Sequence, residues 1–265
     1  MHSPVHILNA MRTFPQITIL AFLCSVVFAQ TEAKLPAFDV ASVRPSQLTL
    51  GPDYNNQITF ARSGLNARNI TLKRLIAEAW NMQLNQVLGP GWIDHNEYDI
   101  NARTAEGTTK EQMAPMLKNL LAERFQLRDH IETRGMRVCE LVIAKNGQKI
   151  WPITDGAPVK PISGFHFHGD MRQFVDLLAV QLSIPATQDP TVPARAGGPP
   201  IVVLDRTGLD GIFDFSVDIH PELGTDMFTA WQRALEDQLG LKIESRKGEV
   251  AVVIVDDAAR IPTEN

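Results

Sequence analysis

The sequence predicts an α+β protein made of two tandem βαββαβ-like units, an internal duplication whose mixed sheets pack against helices. Three observations predict it. Short runs with strand-like alternation are interleaved with longer runs of helical period. The stretch GPGWIDHNEYDINAR (Gly89–Arg103) is echoed by LDRTGLDGIFDFSVDI (Leu204–Ile219), each passing from a turn to an aromatic residue, an aspartate and an apolar residue. Other apolar anchors recur in the same order on both sides of a proline-bearing connector, as duplicated units do.

Taken in order, Phe38–Val43 (FDVASV) alternates like a half-buried strand, and Ile58–Ser63 (ITFARS) reads as its partner. Asn69 is placed to cap a helix whose face carries Leu72, Leu75, Ile76, Ala79 and Trp80. Asn69-Ile70-Thr71 also matches a glycosylation sequon, which the capping role explains more simply. Gly89-Pro90-Gly91 turns the chain into a strand over Glu97–Ala102. Thr109 with Gln112 forms a capping-box pattern, followed by Met113, Met116, Leu117, Leu120, Leu121 and Phe125 on one helical face. Two strands, Gln126–Glu132 and Met136–Ala144, close the unit with Gly135 as the turn between them.

The grammar then restarts. Phe165–His168 is strand-like, and Asp170 with Gln173 caps a helix bearing Phe174, Leu177, Leu178 and Leu182. Strands follow at Ile201–Leu204 and Gly211–Ile219, then a helix with Phe228, Trp231, Leu235 and Leu239 on its face. Leu241–Ser245 and Val250–Val255 end the chain, with Gly248 read as their turn. Alignment of the halves sets Leu72, Leu75, Ile76 and Trp80 against Phe174, Leu177, Leu178 and Leu182, 102 positions on. Tyr98-Asp99-Ile100 matches Phe213-Asp214-Phe215 at 115, and Glu132, Arg134 and Val138 match Glu244, Arg246 and Val250 at 112. The change in offset fits an inserted Pro/Gly-rich loop, Ile184–Pro200, since loop growth costs little closure entropy. Neither half alone buries much, so packing the two together supplies the core.

The domain organisation that follows is a signal peptide over 1–29, a first unit over 30–145, a connector over 146–161 and a second unit over 162–265. The leader has Arg12 as its lone Lys or Arg, an apolar run Ile17–Phe28, and Val27-Phe28-Ala29 as a cleavage site. The run is short for a bilayer span, so the expectation is export to the periplasm or beyond, without membrane association after processing. Removing the leader leaves 24 basic residues against 30 acidic ones, a balance that argues against a nucleic-acid partner. Cys139 is then the sole thiol, so no internal disulfide is available. Its apolar run, Val138–Ile143, reads as a buried strand.

Six blocks carry a family resemblance: FDVASVRPS, NARNITLKRLIAEAW, GPGWIDHNEYDINA, MLKNLLAERFQL, LDRTGLDGIFDF and QLGLKIESRKGEVAVVIVD. The chain resembles a large family of exported, soil-associated proteins of unknown function, known mainly from acidobacterial genomes, over about Phe38–Asn265. Some relatives carry a similar module on membrane-embedded sensor peptidases of the antibiotic-response type, which implies sensing or binding. The long loop before Ile201 departs from the family pattern. The βαββαβ order is also similar to small periplasmic modules at the N-termini of secretins and some outer-membrane receptors, a likeness of fold alone.

Chemistry is sparse in the residues. His166 and His168 lie two apart on a strand, so both imidazoles share a face and are able to reach one metal, with Asp170 close behind. No third ligand stands at motif spacing, and exposed strand histidines explain the pair more simply. GxSxG, SxxK, P-loop and GxGxxG patterns are missing from the sequence. Asp256-Asp257 reads as solvated. Trp92, Trp151 and Trp231 offer themselves for a sugar site, though Trp231 fits a helix core and Trp92 a plugged turn. A motif present twice is scaffold before it is site, because catalysis needs one set of dissimilar groups. No catalytic, cofactor-binding or metal residue is therefore assigned, and no cofactor. The function expected is a non-enzymatic binding, sensing or protein-interaction module of the cell envelope, whose partner is an unknown protein or envelope ligand. The alternative is a secreted hydrolase of a cell-envelope or environmental polymer, metal-assisted through His166 and His168.

Overall fold

A computed structural model describes residues 35–47, 56–153, 164–183, 201–220 and 227–263, all within one compact unit that begins at Leu35. The expected leader, the loop Ile184–Pro200 and the later part of the connector lie outside the described residues. The class is α+β. Strand β1 (Val40–Pro45), β2 (Gln57–Ala61), β3 (Gly64–Thr71) and β5 (Glu97–Arg103) form an antiparallel sheet in the order β1-β5-β3-β2. Helix α1 (Leu72–Trp80) and α2 (Lys110–Phe125) cover its inner side. The two-residue strand β4 (Val87–Leu88) lies between short 3-10 turns at Leu84–Gln86 and Gly91–Asp94.

Three expectations for this half need correction. The partner of β1 is β5, with Ser42 opposite Asn101, and not the strand at 57–61. An additional strand, β3, occupies the stretch between the strand read at Ile58–Ser63 and the helix, to which the sequence reading assigns no element. Leu65, Ala67 and Ile70 point inward from it, so it belongs to the sheet. The helix cap is Thr71, whose hydroxyl accepts from the Arg74 N–H at 3.3 Å. Asn69 instead sits at φ 52° beside a bulge, an αL position that asparagine tolerates. The Thr109–Gln112 capping box is present as read, at 2.9 and 3.4 Å.

The largest correction concerns the strands at the end of each half. Gln126–Glu132 and Met136–Ala144 are one continuous strand, β6 (Arg128–Ile143), and Leu241–Val255 lies within another, β10 (Leu241–Asp257). The two pair antiparallel along their whole length. Gly135 and Gly248 are not turns: neither has a positive φ, and they stand opposite Glu249 and Met136 inside the ladder. A glycine signals a turn only where the backbone needs its freedom. At Gly135 an added Cβ would meet nothing within 4 Å, whereas at Gly248 it would press on the Val138 side chain at 3.0 Å, so the first faces solvent and the second allows a close approach.

Strand β7 (Phe165–Gly169) pairs with β9 (Phe213–Val217) in a two-stranded sheet. Helix α3 (Met171–Leu182), strand β8 (Ile201–Asp205) and helix α4 (Met227–Ala234), continued as a π-turn over Leu235–Leu239, complete the second half. Around the central ribbon the order is β4-β10-β6-β8, and both outer pairings are parallel. The ribbon therefore exchanges strands between the halves. Val253 and Val255 of β10 enter the core built on α1 and α2, while Cys139 and Leu141 of β6 enter the core built on α3 and α4. Its midpoint places Met136 opposite Gly248, residues 112 positions apart. No helix among the described residues is long and apolar enough to cross a membrane.

Helix α3 has its Asp170–Gln173 capping box as expected, at 2.8 and 3.0 Å. Its buried face is Met171, Phe174, Val175 and Leu178, which correspond to Leu72, Leu75, Ile76 and Ala79 when the caps Thr71 and Asp170 are superposed. That offset is 99 positions, three fewer than the sequence alignment sets. Residues three apart share a helix face, so both offsets look equally amphipathic in sequence. Leu177 pays for the slip: it is half-buried at the edge of the core. The halves are tied at the turn beside β4. The buried Gln83 amide donates to the Val203 carbonyl at 2.6 Å and accepts from the Val203 N–H at 2.9 Å, acting as a neighbouring strand would. Asn85 donates to the carbonyls of Ala179 and Ile201 at 3.0 and 2.8 Å.

Candidate functional site

The repeated aromatic–Asp–apolar triplets occupy comparable places. Tyr98 and Ile100 of β5 are buried, as are Phe213 and Phe215 of β9, so strand alternation turns Asp99 and Asp214 outward. Tyr98 packs edge-on against Phe125 with centroids 4.8 Å apart and donates its hydroxyl to the Arg260 carbonyl at 2.7 Å. Burial pushes its phenol up. Phe215 packs edge-on against Phe174 at 5.1 Å. The aromatics are core.

The aspartates differ in their partners. Asp214 accepts from both histidines of the neighbouring strand, His166 Nε2 at 2.8 Å and His168 Nδ1 at 3.0 Å, one to each oxygen. A carboxylate only accepts, so both nitrogens carry protons. The His166 bond, then the His168 bond, holds the Asp214 carboxyl below the usual carboxylate range. The Asp214 side chain is 2% exposed, whereas His166 and His168 are 37% and 57% exposed. The nitrogens that face the acid are thus occupied by protons, and Asp170, placed by the sequence near a metal, caps α3 instead. Among the described residues no group of three His, Cys, Asp or Glu side chains is arranged to hold a metal ion.

Asp99 has neutral and backbone partners. Its Oδ1 accepts from the Ser46 hydroxyl at 2.8 Å and from the Asn69 N–H at 3.1 Å, and Arg44 stands 3.5 Å from Oδ2. The acid so ties the end of β1 to the bulge of β3. Around it opens a shallow basin of about 440 Å³ on the outer face of the four-stranded sheet. The register sets Ser42, Asn101 and Asn66 in one cross-strand row. Arg44, Arg68 and Arg103 stand around that row, all exposed. Arg68 and Arg103 have no ion-pair partner among the described residues. Sequence reading missed this face because it assigned no strand to Gly64–Arg68, between the strand at Ile58–Ser63 and the cap at Asn69. The alternation of Leu65 and Ala67 with Asn66 and Arg68 was the available signal.

Other titratable groups have structural roles. Cys139 is fully buried and burial pushes its thiol up, which makes it inert. His130 bonds Asp256 at 2.9 Å and Glu132 at 3.1 Å on the exposed ribbon, and Asp257 pairs with Arg128, so Asp256-Asp257 is a solvated ion-pair site. Burial raises the Asp176 carboxyl to about 6, against the opposing charge of Arg172. Trp231 is fully buried, Trp92 is half-buried beneath Arg260, and Trp151 is 66% exposed.

Fold and face together define an α+β protein with a polar, arginine-bearing sheet surface and an interlocked two-core interior. The chain belongs to the DUF3738 family, described as proteins of unknown function, whose profile matches residues 73–258. No curated protein and no solved structure matches it. Of the polar basin residues, Asp99, Asn101 and Arg103 fall within the matched span, while Ser42, Arg44, Asn66 and Arg68 precede it.

Proposed function

We propose that the protein is an exported, non-enzymatic binding module of the cell envelope. Its leader is removed after Ala29, its two halves are copies of one unit, and it takes a ligand on the outer face of the first sheet. The observation that carries this reading is the basin itself. Three exposed guanidiniums and two amides are gathered on a concave surface of a chain whose net charge is −5. Arg44 already stands against Asp99, whereas Arg68 and Arg103 have no ion-pair partner among the described residues, so a bound anion gains their charge without displacing a partner. The alternative, a hydrolase with a metal on His166 and His168, has weaker support, because both nitrogens that face Asp214 act as donors to it.

Amide chemical-shift mapping tests the binding face. Titration of the mature protein with glucuronate, glucose and inorganic phosphate is expected to shift amides of β1, β3 and β5 in at least one case. If every titration leaves those strands unmoved, the face is solvated scaffold. Mass spectrometry of the exported protein tests the leader: a new terminus at Gln30 supports cleavage, and an intact Met1 species in membranes overturns it.

A further inference from the structure

The basin's chemistry is specific enough to name a ligand class, and this step rests on the binding reading above. We infer that the face of β1, β5 and β3 recognises an acidic oligosaccharide, a chain of carboxylated sugar rings.

The placement of the polar groups leads there. Arg44 and Arg68 stand on the strands either side of β5, near Asp99, about 10 Å apart at two strand spacings. Arg103 lies four residues further along β5, about 13 Å away. Between these charged ends runs the neutral row of Ser42, Asn101 and Asn66. A guanidinium offers a planar fork that matches a carboxylate in two parallel hydrogen bonds. Amides and a hydroxyl both donate and accept, which suits ring hydroxyls. Charge at the ends with hydroxyl-matching groups between them fits carboxylates separated by hydroxylated rings.

Competing ligands fit less well. Neutral sugars and nucleobases are held by stacking on aromatic side chains, and none of the described residues lining the basin is aromatic. Phosphate sites draw on free backbone N–H groups at helix N-termini or nests. Here β5 is paired on both sides, so its backbone groups serve the ladders. Asp99 is the one acid among the described lining residues, and Arg44 stands beside it at 3.5 Å, which leaves Arg68 and Arg103 as the uncompensated charges for a ligand's carboxylates.

The test is calorimetry of the mature protein with oligogalacturonates of three to six rings, at low and at near-physiological salt. Methyl-esterified oligogalacturonate, a neutral cello-oligosaccharide and inorganic phosphate serve as comparisons. The expected result is binding of the acid form alone, weakened at higher salt, with Arg68→Ala and Arg103→Ala each reducing affinity about tenfold. Arg103→Lys restores part of the loss, since the charge survives without the fork. Both positions are exposed, and unchanged thermal melts check that the variants fold. Equal binding of the methyl ester, or phosphate binding as tight as the oligosaccharide, overturns the inference. So does affinity untouched by both alanine variants. If no saccharide binds but another anion still shifts β1, β3 and β5, this ligand class falls and the binding face stands. If no anion shifts those strands, both fall.

Discussion

Asp99 and Asp214 hold corresponding places in two sheets, yet one borders a broad basin and the other is clamped by its neighbours. The difference follows from the strands around them. β5 is flanked by β1 and β3, so the surface beside Asp99 is three strands wide before β2 is added. The β7–β9 sheet has two strands among the described residues, and Asp214 finds its partners at once on β7. The residues across the register complete the contrast. Asn66 stands opposite Asn101 on the first sheet, and His166 stands opposite Ser216 on the second. The same outward acid therefore becomes a strap for β1 in one place and a histidine clamp in the other. The two triplets share an alternation that buries their flanking aromatic and apolar residues. What the acid between them does is set by its neighbours.

The strongest way to break this parallel is through the cores. Leu75→Ala in α1 and Phe174→Ala in α3 occupy corresponding buried positions, and each is expected to cost about 2–5 kcal/mol in denaturant unfolding. Leu177→Ala removes a half-buried side chain and is expected to cost about 1 kcal/mol. A larger loss at Leu177 than at Phe174 would restore the 102-position alignment in place of the cap-based one.

Next in size is the tie between the halves. Gln83→Ala leaves the Val203 N–H and carbonyl without partners in a buried place, which costs about 2–3 kcal/mol. Faster hydrogen exchange at Val203 is the accompanying signature. Unchanged exchange there would show that β8 stands without Gln83.

The aspartates are separated by acid titration. The folded Asp214 carboxyl lies below its ordinary value, so its stabilisation is present above about pH 4 and is lost as pH falls through the folded value. Asp214→Asn is expected to remove that part of the acid-induced fall in melting temperature, while Asp99→Asn retains it. Identical acid profiles for the two variants would mean that the clamp carries no linkage of its own.

Asp176 runs the other way. Its folded carboxyl is raised to about 6, so ionisation penalises the native state and stability from this group is lost as pH rises from about 4 to above 6. Asp176→Asn should gain on the order of 1 kcal/mol at pH 7, a figure discounted for a side chain 38% exposed, and nothing at pH 4. The smallest effect sharpens the reading of the ribbon. At Gly135 an added Cβ meets nothing within 4 Å, so Gly135→Thr is expected to gain about 0.5–1 kcal/mol in a continuous strand. A loss of stability would indicate that the chain needs a turn there.

The residues that were legible in advance share a physical property: their signals are local. Thr109, Asp170 and their glutamine partners satisfy helix N–H groups within one turn, so the sequence places those caps correctly. Alternation around Tyr98 and Phe213 depends on neighbouring residues alone, and the structure buries both aromatics. Asn69 misled because asparagine serves equally as a cap and as an αL residue, and the Asp99 bond that uses its N–H comes from 30 positions away. The histidine pair shared a face as read, yet its partner was Asp214 across the sheet, 46 positions from His168. The basin was hidden for a related reason, since its seven polar side chains come from three strands.

By itself, the sequence determined the α+β class, both capping boxes, most of the inward face of α2, and the burial of Cys139 and Trp231, because period and capping act within a few residues. Only the tertiary structure decided that β1 lies beside β5, that Gly135 and Gly248 sit inside one long ladder, and that each half sends a strand into the other's core. Those outcomes depend on register between distant segments, where many pairings satisfy the same local pattern and only simultaneous burial of both cores selects one.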